Sequence, residues 1–592
     1  MIYIIETLQQ AYQAGEITPK QLFDQLFEAI AKDHDYNAWI SLLDKEQIAA
    51  YIDALGPAPA PHQPLWGIPF AVKDNLDLID LPTTAGCPEY QFMPKTHAHV
   101  VQKLIDAGAI PVGKTNMDQF ATGLNGTRSP YGICKNAKHK ELISGGSSSG
   151  SAVSVALGHV VFSLGTDTAG SGRVPAALNG LVGLKPTRGL LSNSGLVPAC
   201  QSLDSVSIFA HTVADAASVL AIAQSEDQSD PYSRHNPYHN HPRYQGHPKN
   251  VSDIKLGIIP EAQLAFFGDN DYQHAYQTVL DNLRQQGFSL IEIDYQCFNE
   301  AALLLYEGPW VAERYVAIEL MITSKPEAIE PTVRQIIQGG AELKASDAFK
   351  AQYRLESLKK RCYQQLERVD AMLTPTIGKA YRIDELLAEP IQANSNLGYY
   401  TNFMNLLDLS AIAIPAGNTE HEVPFGITLC SFAFHDQRLI ALANQLNQDS
   451  SPDMVSADNK TIPVVVCGAH LEGMPLNWQL KDRGATLIKT CQTQPCYRLY
   501  LLNDPPPLLR PALVKQRHEA NGIAVEVEVW AVPTENFGSF VAEIPAPLGI
   551  GKVLLDDGSS ISGFICDDYG LEGATDISKF GTWRRFIASQ KE

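Results

Sequence analysis

The sequence has little that would bind a polyanion. Its 592 residues carry 45 lysines and arginines against 65 aspartates and glutamates, a net charge of -20, and no basic run interrupts the excess of acid. Phosphate backbones are held by clustered Lys and Arg, so the charge argues against nucleic acid as a partner. A small anion held by one buried arginine is not. Also missing is any apolar stretch of about 18 residues, the length a membrane-crossing helix needs. The opening residues, MIYIIETLQQ, lack a basic n-region and reach Glu6 and Gln9 too early for a secretory signal. The ten cysteines are scattered, and the closest pair, Cys491 and Cys496, has no second pair with which to build a zinc site. Together these absences point to reduced thiols in the cytoplasm and no membrane.

A chain this long exceeds one hydrophobic core and implies two domains or more. Residues 1–55 read as helical, with Leu22, Phe23, Leu26, Phe27 and Ile30 at helical spacing. From Pro64 to Gly189, short apolar runs (68–74, 98–115, 159–165) alternate with helical stretches and Gly-rich loops. That alternation predicts an α/β domain, a mixed β-sheet covered by helices. Residues 225–250 are Pro-rich and polar and read as an exposed loop. His235, His239, His241 and His247 lack the fixed geometry and the cysteine or carboxylate partners of a metal site. Helices follow at 273–287, 300–322 and 344–370, and the domain closes with DLSAIAIPAG (408–417) and a helix at 436–448. Composition then changes abruptly over residues 449–461, which are polar and rich in Ser and Asp. The expected division is a catalytic domain at 1–445, a linker at 446–461 and a smaller β-rich α+β domain at 462–592. In that last part Val525, Val527 and Val529 alternate with Glu526 and Glu528, and DDGSS (556–560) reads as a turn between strands.

The stretch ISGGSSSGSAVSVALG (143–158) has the composition of a flexible linker, and its residues 146–150 also match the serine elbow G-x-S-x-G. A linker stays polar, whereas this one runs straight into Ala152, Val153, Val155, Ala156 and Leu157. An elbow follows a hydrophobic strand, whereas CKNAKHKELIS (134–144) is polar and basic. The remaining reading is a backbone that must pass close to something. Upstream lies GIPFAVKDN (67–75), with one lysine behind an apolar run. Downstream lies GTDTAGSGRVPAALNGLVGLKPTRG (165–189).

With GKTNMDQFATG (113–123), these ordered segments resemble the amidase signature family across residues 1–445. The resemblance implies a Ser-Ser-Lys triad, with Ser171 as nucleophile, Ser147 as proton relay and Lys73 as base; the two serines stand 24 residues apart, as in the family. Ser148 and Ser149 would then be packing or hydrogen-bonding residues. It further implies an oxyanion hole from the amides of Thr168, Ala169, Gly170 and Ser171, a cis peptide leading into Ser147, a loop braced by Asp167 and Arg173, and a homodimer. The chemistry asks for a neutral lysine, because a serine hydroxyl attacks only when a neighbouring base takes its proton. Bringing a lysine from about 10.4 to about 7 needs about 4 kcal/mol of bias against the ammonium, which burial behind Phe70, Ala71 and Val72 would supply. The alternative is a structural pairing of Lys73 with Asp74 or Asp77.

Two features narrow the substrate. In YEGPWVAERY (306–315), Tyr306 and Arg314 are spaced two helical turns apart. The segment resembles the one with which allophanate hydrolases hold the substrate carboxylate; the competing reading is a surface pairing of Arg314 with Glu307 or Glu313. CGAHLEGMPLNWQLKDRGA (467–485) looks like the opening of the extension those enzymes carry. More distantly it is similar to the glycine-turn pocket of γ-glutamyl-cyclotransferase-like domains, with Cys467 in place of the usual tyrosine. His470, where a strand ends, is the acid-base candidate there, and Glu535 a weaker one. The resemblance implies hydrolysis of allophanate (urea-1-carboxylate) to ammonia and carbon dioxide without metal or organic cofactor, fed by a urea carboxylase on a separate chain. The competing readings are an amidase of other small amides, the amidase component of an amidotransferase for misacylated glutamyl-tRNA, and a catalytically inactive scaffold.

Overall fold

A computed structural model describes residues 2–60, 62–236, 251–447, 461–503, 509–516 and 522–590. Contacts divide the chain into two compact units, one holding Met1–Asn236 and Lys249–Gln448, the other taking in Asp449–Glu592. Of the expected His-rich loop, His235 is exposed beside Glu226. His239, His241 and His247 lie outside the described residues, as does nearly all of the expected linker. Among the described residues no helix is long and apolar enough to cross a membrane.

The first unit is an α/β domain built on one mixed sheet. In chain order its strands are β1 (Trp39–Leu42), β2 (Pro69–Lys73), β3 (Ile110–Thr115), β4 (Phe162–Asp167), β5 (Val182–Lys185), β6 (Ser205–Ala210), β7 (Lys255–Ile258), β8 (Ser289–Glu292), β9 (Ala371–Pro375), β10 (Leu409–Asn418) and β11 (Pro424–Phe432). In space they lie β1-β3-β2-β4-β6-β5-β10-β11-β9-β7-β8. β2 runs parallel to both β3 and β4, whereas β4 and β6 are antiparallel. Every residue of β2, β3 and β4 is buried. Strands covered on both faces must be apolar throughout, so a polar side chain at one of their ends is conspicuous. Phe70 and Phe162 pair across β2 and β4 and stack 5.3 Å apart, filling the space beneath those ends.

Two helical expectations need correction. Residues 1–55 are not all helix: helices Ile5–Gln13, Pro19–Lys32 and Lys45–Leu55 flank β1, which pairs antiparallel with β3. The aromatic and β-branched pair Trp39-Ile40 suits a strand at that sheet edge. The segment 300–322 is broken too, into Gln296–Glu307, Trp310–Ala317 and Glu319–Ser324. Pro309 forces Gly308 out of the helical region, to φ -104 and ψ -173. Tyr306 and Arg314 therefore sit on different helices.

The second unit is β-rich. Strands Thr486–Gln492, Glu526–Pro533, Thr461–Val466, Ser560–Cys566 and Leu548–Leu554 form a five-stranded sheet in that order. A three-stranded sheet orders Pro511–Lys515, Tyr497–Leu501 and Thr575–Asp576. The alternation around residue 528 does not expose both glutamates. Glu528 is buried, accepting from the Glu472 amide, Trp530 Nε1 and Arg584. A buried carboxylate with three donors is part of the unit's scaffold, and its removal strands them. Glu528→Leu should lower the unfolding free energy of this unit by about 2–3 kcal/mol in urea titrations; an unchanged midpoint would contradict the structural role.

Candidate active site

The neighbouring ends of β2 and β4 bring Lys73 and Thr166 together. Lys73 is the last residue of β2, and Val72 pairs with Leu164 of β4. Its side chain is completely buried and turns across the sheet end. Nζ lies 2.8 Å from Ser147 Oγ and 2.7 Å from Thr166 Oγ1. Burial lowers its pKa from 10.5 to about 7, against the pull of Asp118, Asp204 and Asp167 and with the help of Arg314. A lysine held by two hydroxyls, with no carboxylate of the described residues in contact, gives up its proton far more readily than a solvated one. The alternative pairing does not form. Asp74 faces Lys114 at 3.5 Å and accepts from the Gly86 amide, while Asp77 accepts from Thr83 Oγ1.

Ser147 reaches Lys73 because the Gly-Ser segment runs through a narrow space. A side chain at Gly146 would place Cβ 2.1 Å from Asp118 Oδ2, and one at Gly150 would meet the Ala38 carbonyl at 2.1 Å. The Gly146–Ser147 peptide is cis. Ser148 Oγ donates to the Thr166 carbonyl and Ser149 Oγ to that of Asn116, so both residues that follow Ser147 serve to fasten the segment. Residues Ser149–Val155 of the helix that follows are all buried. The composition of a linker thus belongs to a tightly packed turn.

Ser171 lies on the loop between β4 and the helix Val174–Leu178. Asp167 and Arg173 brace that loop. Both are fully buried, and Arg173 donates Nε and Nη2 to the two carboxylate oxygens at 2.9 Å each. Asp167 also accepts the amides of Gly170 and Gly172. This corrects one expected oxyanion donor: the N–H of Gly170 is spent on Asp167. What Gly170 supplies is shape, since its φ is +139 and a Cβ there would lie 2.4 Å from Thr401 Oγ1. The N–H groups of Thr168, Ala169 and Ser171 have no acceptor among the described residues. Ser171 Oγ likewise makes no hydrogen bond among the described residues, so Lys73–Ser147 is the one link of the expected relay that is closed.

Around this centre lie residues not singled out from the sequence. Thr166 is the second partner of Lys73, and Asn75 Nδ2 also donates to its hydroxyl. Asp204 accepts from the Thr168 hydroxyl and from the amides of Ala199 and Cys200, and burial raises its pKa to about 6. The one available signal for Thr166 is a polar residue beside a strand end that already holds a lysine.

Arg314 approaches from the helix Trp310–Ala317 and is buried, 2% exposed. Its Nη1 donates to Thr122 Oγ1 at 3.1 Å and the Ala121 carbonyl at 3.4 Å, and its Nε has no partner among the described residues. The Tyr306 ring centroid lies 5.6 Å from its guanidinium carbon, so the two residues meet across the helix break. No carboxylate of the described residues is within ion-pair distance. Glu313, the expected surface partner, instead accepts from the Ser202 amide and hydroxyl.

In the second unit, His470 follows the strand Thr461–Val466 and stacks on Phe564 at 5.0 Å. Its Nε2 lies 2.6 Å from Gln479 Oε1, and burial lowers its pKa. It lines a cavity of about 460 Å³ together with Gly468, Arg510, Glu543 and Trp583. The side chain of Glu535 lies outside the described residues.

Comparison with known proteins bears on both units. Residues 22–440 match the Amidase family model, and residues 462–588 match the allophanate hydrolase C-terminal domain. The chain is 42% identical over 584 residues to a urea amidolyase of Saccharomyces cerevisiae, covering 94% of this chain and 31% of that one; it spans about a third of the length of such relatives. A glutamyl-tRNA(Gln) amidotransferase component from Lawsonia intracellularis is 31% identical across 72% of this chain and 92% of its own. Among solved structures, Kluyveromyces lactis allophanate hydrolase superposes with a TM-score of 0.76 and 37% identity, covering 99% of both chains. An α/β fold with a large mixed sheet and a smaller β-rich C-terminal domain is what these structures share with this chain.

If Lys73 is a neutral base, Lys73→Met separates stability from reactivity. The unfolded lysine keeps its proton up to about pH 10.4, whereas the folded site releases it near 7, so below that window the buried amine destabilises the fold. Near pH 7 the variant should be more stable by up to about 4 kcal/mol in urea titrations, an advantage that shrinks as pH rises towards about 10. Labelling of Ser171 by an uncharged fluorophosphonate should slow by about 10²- to 10⁴-fold. Unchanged labelling would contradict the role of the amine.

Proposed function

The chain belongs to the Amidase family, and from that membership and the surroundings of Arg314 we propose that it hydrolyses allophanate (urea-1-carboxylate) to ammonia and carbon dioxide. One observation carries the choice of substrate: a buried guanidinium with no carboxylate partner among the described residues and a tyrosine ring beside it. Such a cation asks for a small anion. A guanidinium can meet a planar carboxylate through two hydrogen bonds, and the Tyr306 hydroxyl adds a third. Allophanate presents a carboxylate at one end and a carboxamide at the other.

The reaction is then acyl transfer through a Ser-Ser-Lys triad. Ser171 Oγ attacks the terminal carboxamide carbon, and its proton passes to Ser147 as the Ser147 proton passes to the neutral Lys73 amine. Negative charge gathers on the former carbonyl oxygen, within reach of the free amides of Thr168, Ala169 and Ser171. Each such donor is worth about 3–4 kcal/mol in the transition state. The relay returns a proton to the departing ammonia, and water releases the acyl group as a dicarboxylated amine. That product breaks down to ammonia and two molecules of carbon dioxide. His470, neutral through burial and oriented by Gln479, is the acid-base group of a second site in the C-terminal cavity that speeds the breakdown. The substrate comes from a urea carboxylase activity. The enzyme works in the cytoplasm as a homodimer.

Ammonia release from allophanate, acetamide and glutamine tests the proposal. Allophanate should exceed acetamide in kcat/KM by at least about a hundredfold, as expected when a buried charged group is left unpaired by a neutral substrate, and should also exceed glutamine, whose carboxylate stands farther from its carboxamide and beside an ammonium. Equal turnover of acetamide or glutamine would overturn it. Arg314→Leu should raise KM for allophanate far more than for a neutral amide.

A further inference from the structure

The GKTNMDQFATG segment stands out in the sequence, yet it supplies none of the groups that perform the acyl transfer. Its middle, Asp118–Thr122, is a tight turn fastened at both ends to the site. At one end the Asp118 amide donates to the Ser147 carbonyl at 3.1 Å, and the Asp118 carboxylate collects the amides of Asn125, Gly126 and Arg128. At the other end Ala121 and Thr122 accept from Arg314. Between them Phe120 and Ala121 both take left-handed backbone conformations, φ 49 and 52. Two successive side-chain-bearing residues in that region are held there only by their surroundings. Phe120 belongs to the same small apolar cluster as Ile318, Met321, Ile322 and Val333, on elements that follow the helix carrying Arg314.

The Thr122 hydroxyl is oriented as well as placed. It donates its proton to the Phe120 carbonyl at 3.2 Å, which leaves a lone pair facing Arg314 Nη1 at 3.1 Å. The Thr122 carbonyl is itself held by Arg128. A guanidinium gripped this way on one edge presents its other edge in a fixed direction, and Arg314 Nε has no partner among the described residues.

We infer that Thr122 is a specificity-determining positioning residue: through a strained turn anchored on Ser147, it aims Arg314 so that a carboxylate-bearing amide is held in register with the nucleophile. The inference rests on Arg314 being the receptor for the substrate carboxylate. It assigns selectivity to a residue that touches the arginine and not the reacting atoms.

Three substitutions in the full chain test it: Thr122→Val, which keeps the shape and removes the acceptor, Thr122→Ser, which restores the acceptor, and Arg314→Leu. KM and kcat for allophanate are read alongside the rate of Ser171 labelling by an uncharged fluorophosphonate, which reports the nucleophile without engaging the anion receptor. Thr122→Val should raise KM about tenfold, the loss of one charge-assisted hydrogen bond, while kcat and labelling each fall less than about threefold. Thr122→Ser should bring KM back to within about threefold of the native value. The inference is overturned if Thr122→Val slows labelling as much as it raises KM, or if Thr122→Ser is no better than Thr122→Val. If Arg314→Leu leaves KM for allophanate unchanged, the reading of the arginine fails, and this inference with it. A selective Arg314→Leu beside an unselective Thr122→Val sinks the inference alone.

Discussion

One uncharged amine in a dry place is the constraint on which the site depends. Lys73 sits at the end of a strand buried on both faces, between two hydroxyls and with no carboxylate of the described residues in contact. Water is excluded, so the ammonium is disfavoured, and the side chain is left with a lone pair near physiological pH. The sheet order makes this possible. With β2 between β3 and β4, the lysine opens onto the loop after β4 on one side and onto the Gly-Ser turn on the other.

Three carboxylates oppose the neutral amine from a distance, and each is occupied elsewhere. Asp167 is neutralised by Arg173, Asp118 gathers three backbone amides, and Asp204 takes the Thr168 hydroxyl and two amides. These attachments are also the supports of the loops that carry Ser171 and Ser147, so the residues that shape the turns also set the field around the base. Arg314 acts in the other direction, opposing a second positive charge at Lys73. When an anion occupies Arg314, that opposition weakens.

Much of this is legible in the chain itself. Alternation of short apolar runs with Gly-rich loops reads as a mixed sheet, and the ordered motifs locate Lys73, Ser147 and Ser171. The parts that are not legible share a cause. The break at Gly308-Pro309 puts Tyr306 and Arg314 on separate helices, and spacing along one helix could not show that they still meet across it. Glu528 looks like the exposed half of an alternating strand, but partners far away in sequence bury it. Gly170 looks like an oxyanion donor, but Asp167, three residues earlier, takes its amide. Thr166 and Thr122 are short polar residues whose roles come from the neighbour they face. In each case a long-range contact or a local competitor decides the outcome, and neither is written in periodicity.

The site depends on the protonation of a single side chain, which can be watched directly. Protein labelled with 13C at lysine Cε should show the Lys73 resonance, assigned by its loss in Lys73→Met, titrating with a midpoint near 7. A Lys73 midpoint near 10 would mean a permanently charged ammonium behind Ser147, and the relay described here would have no base.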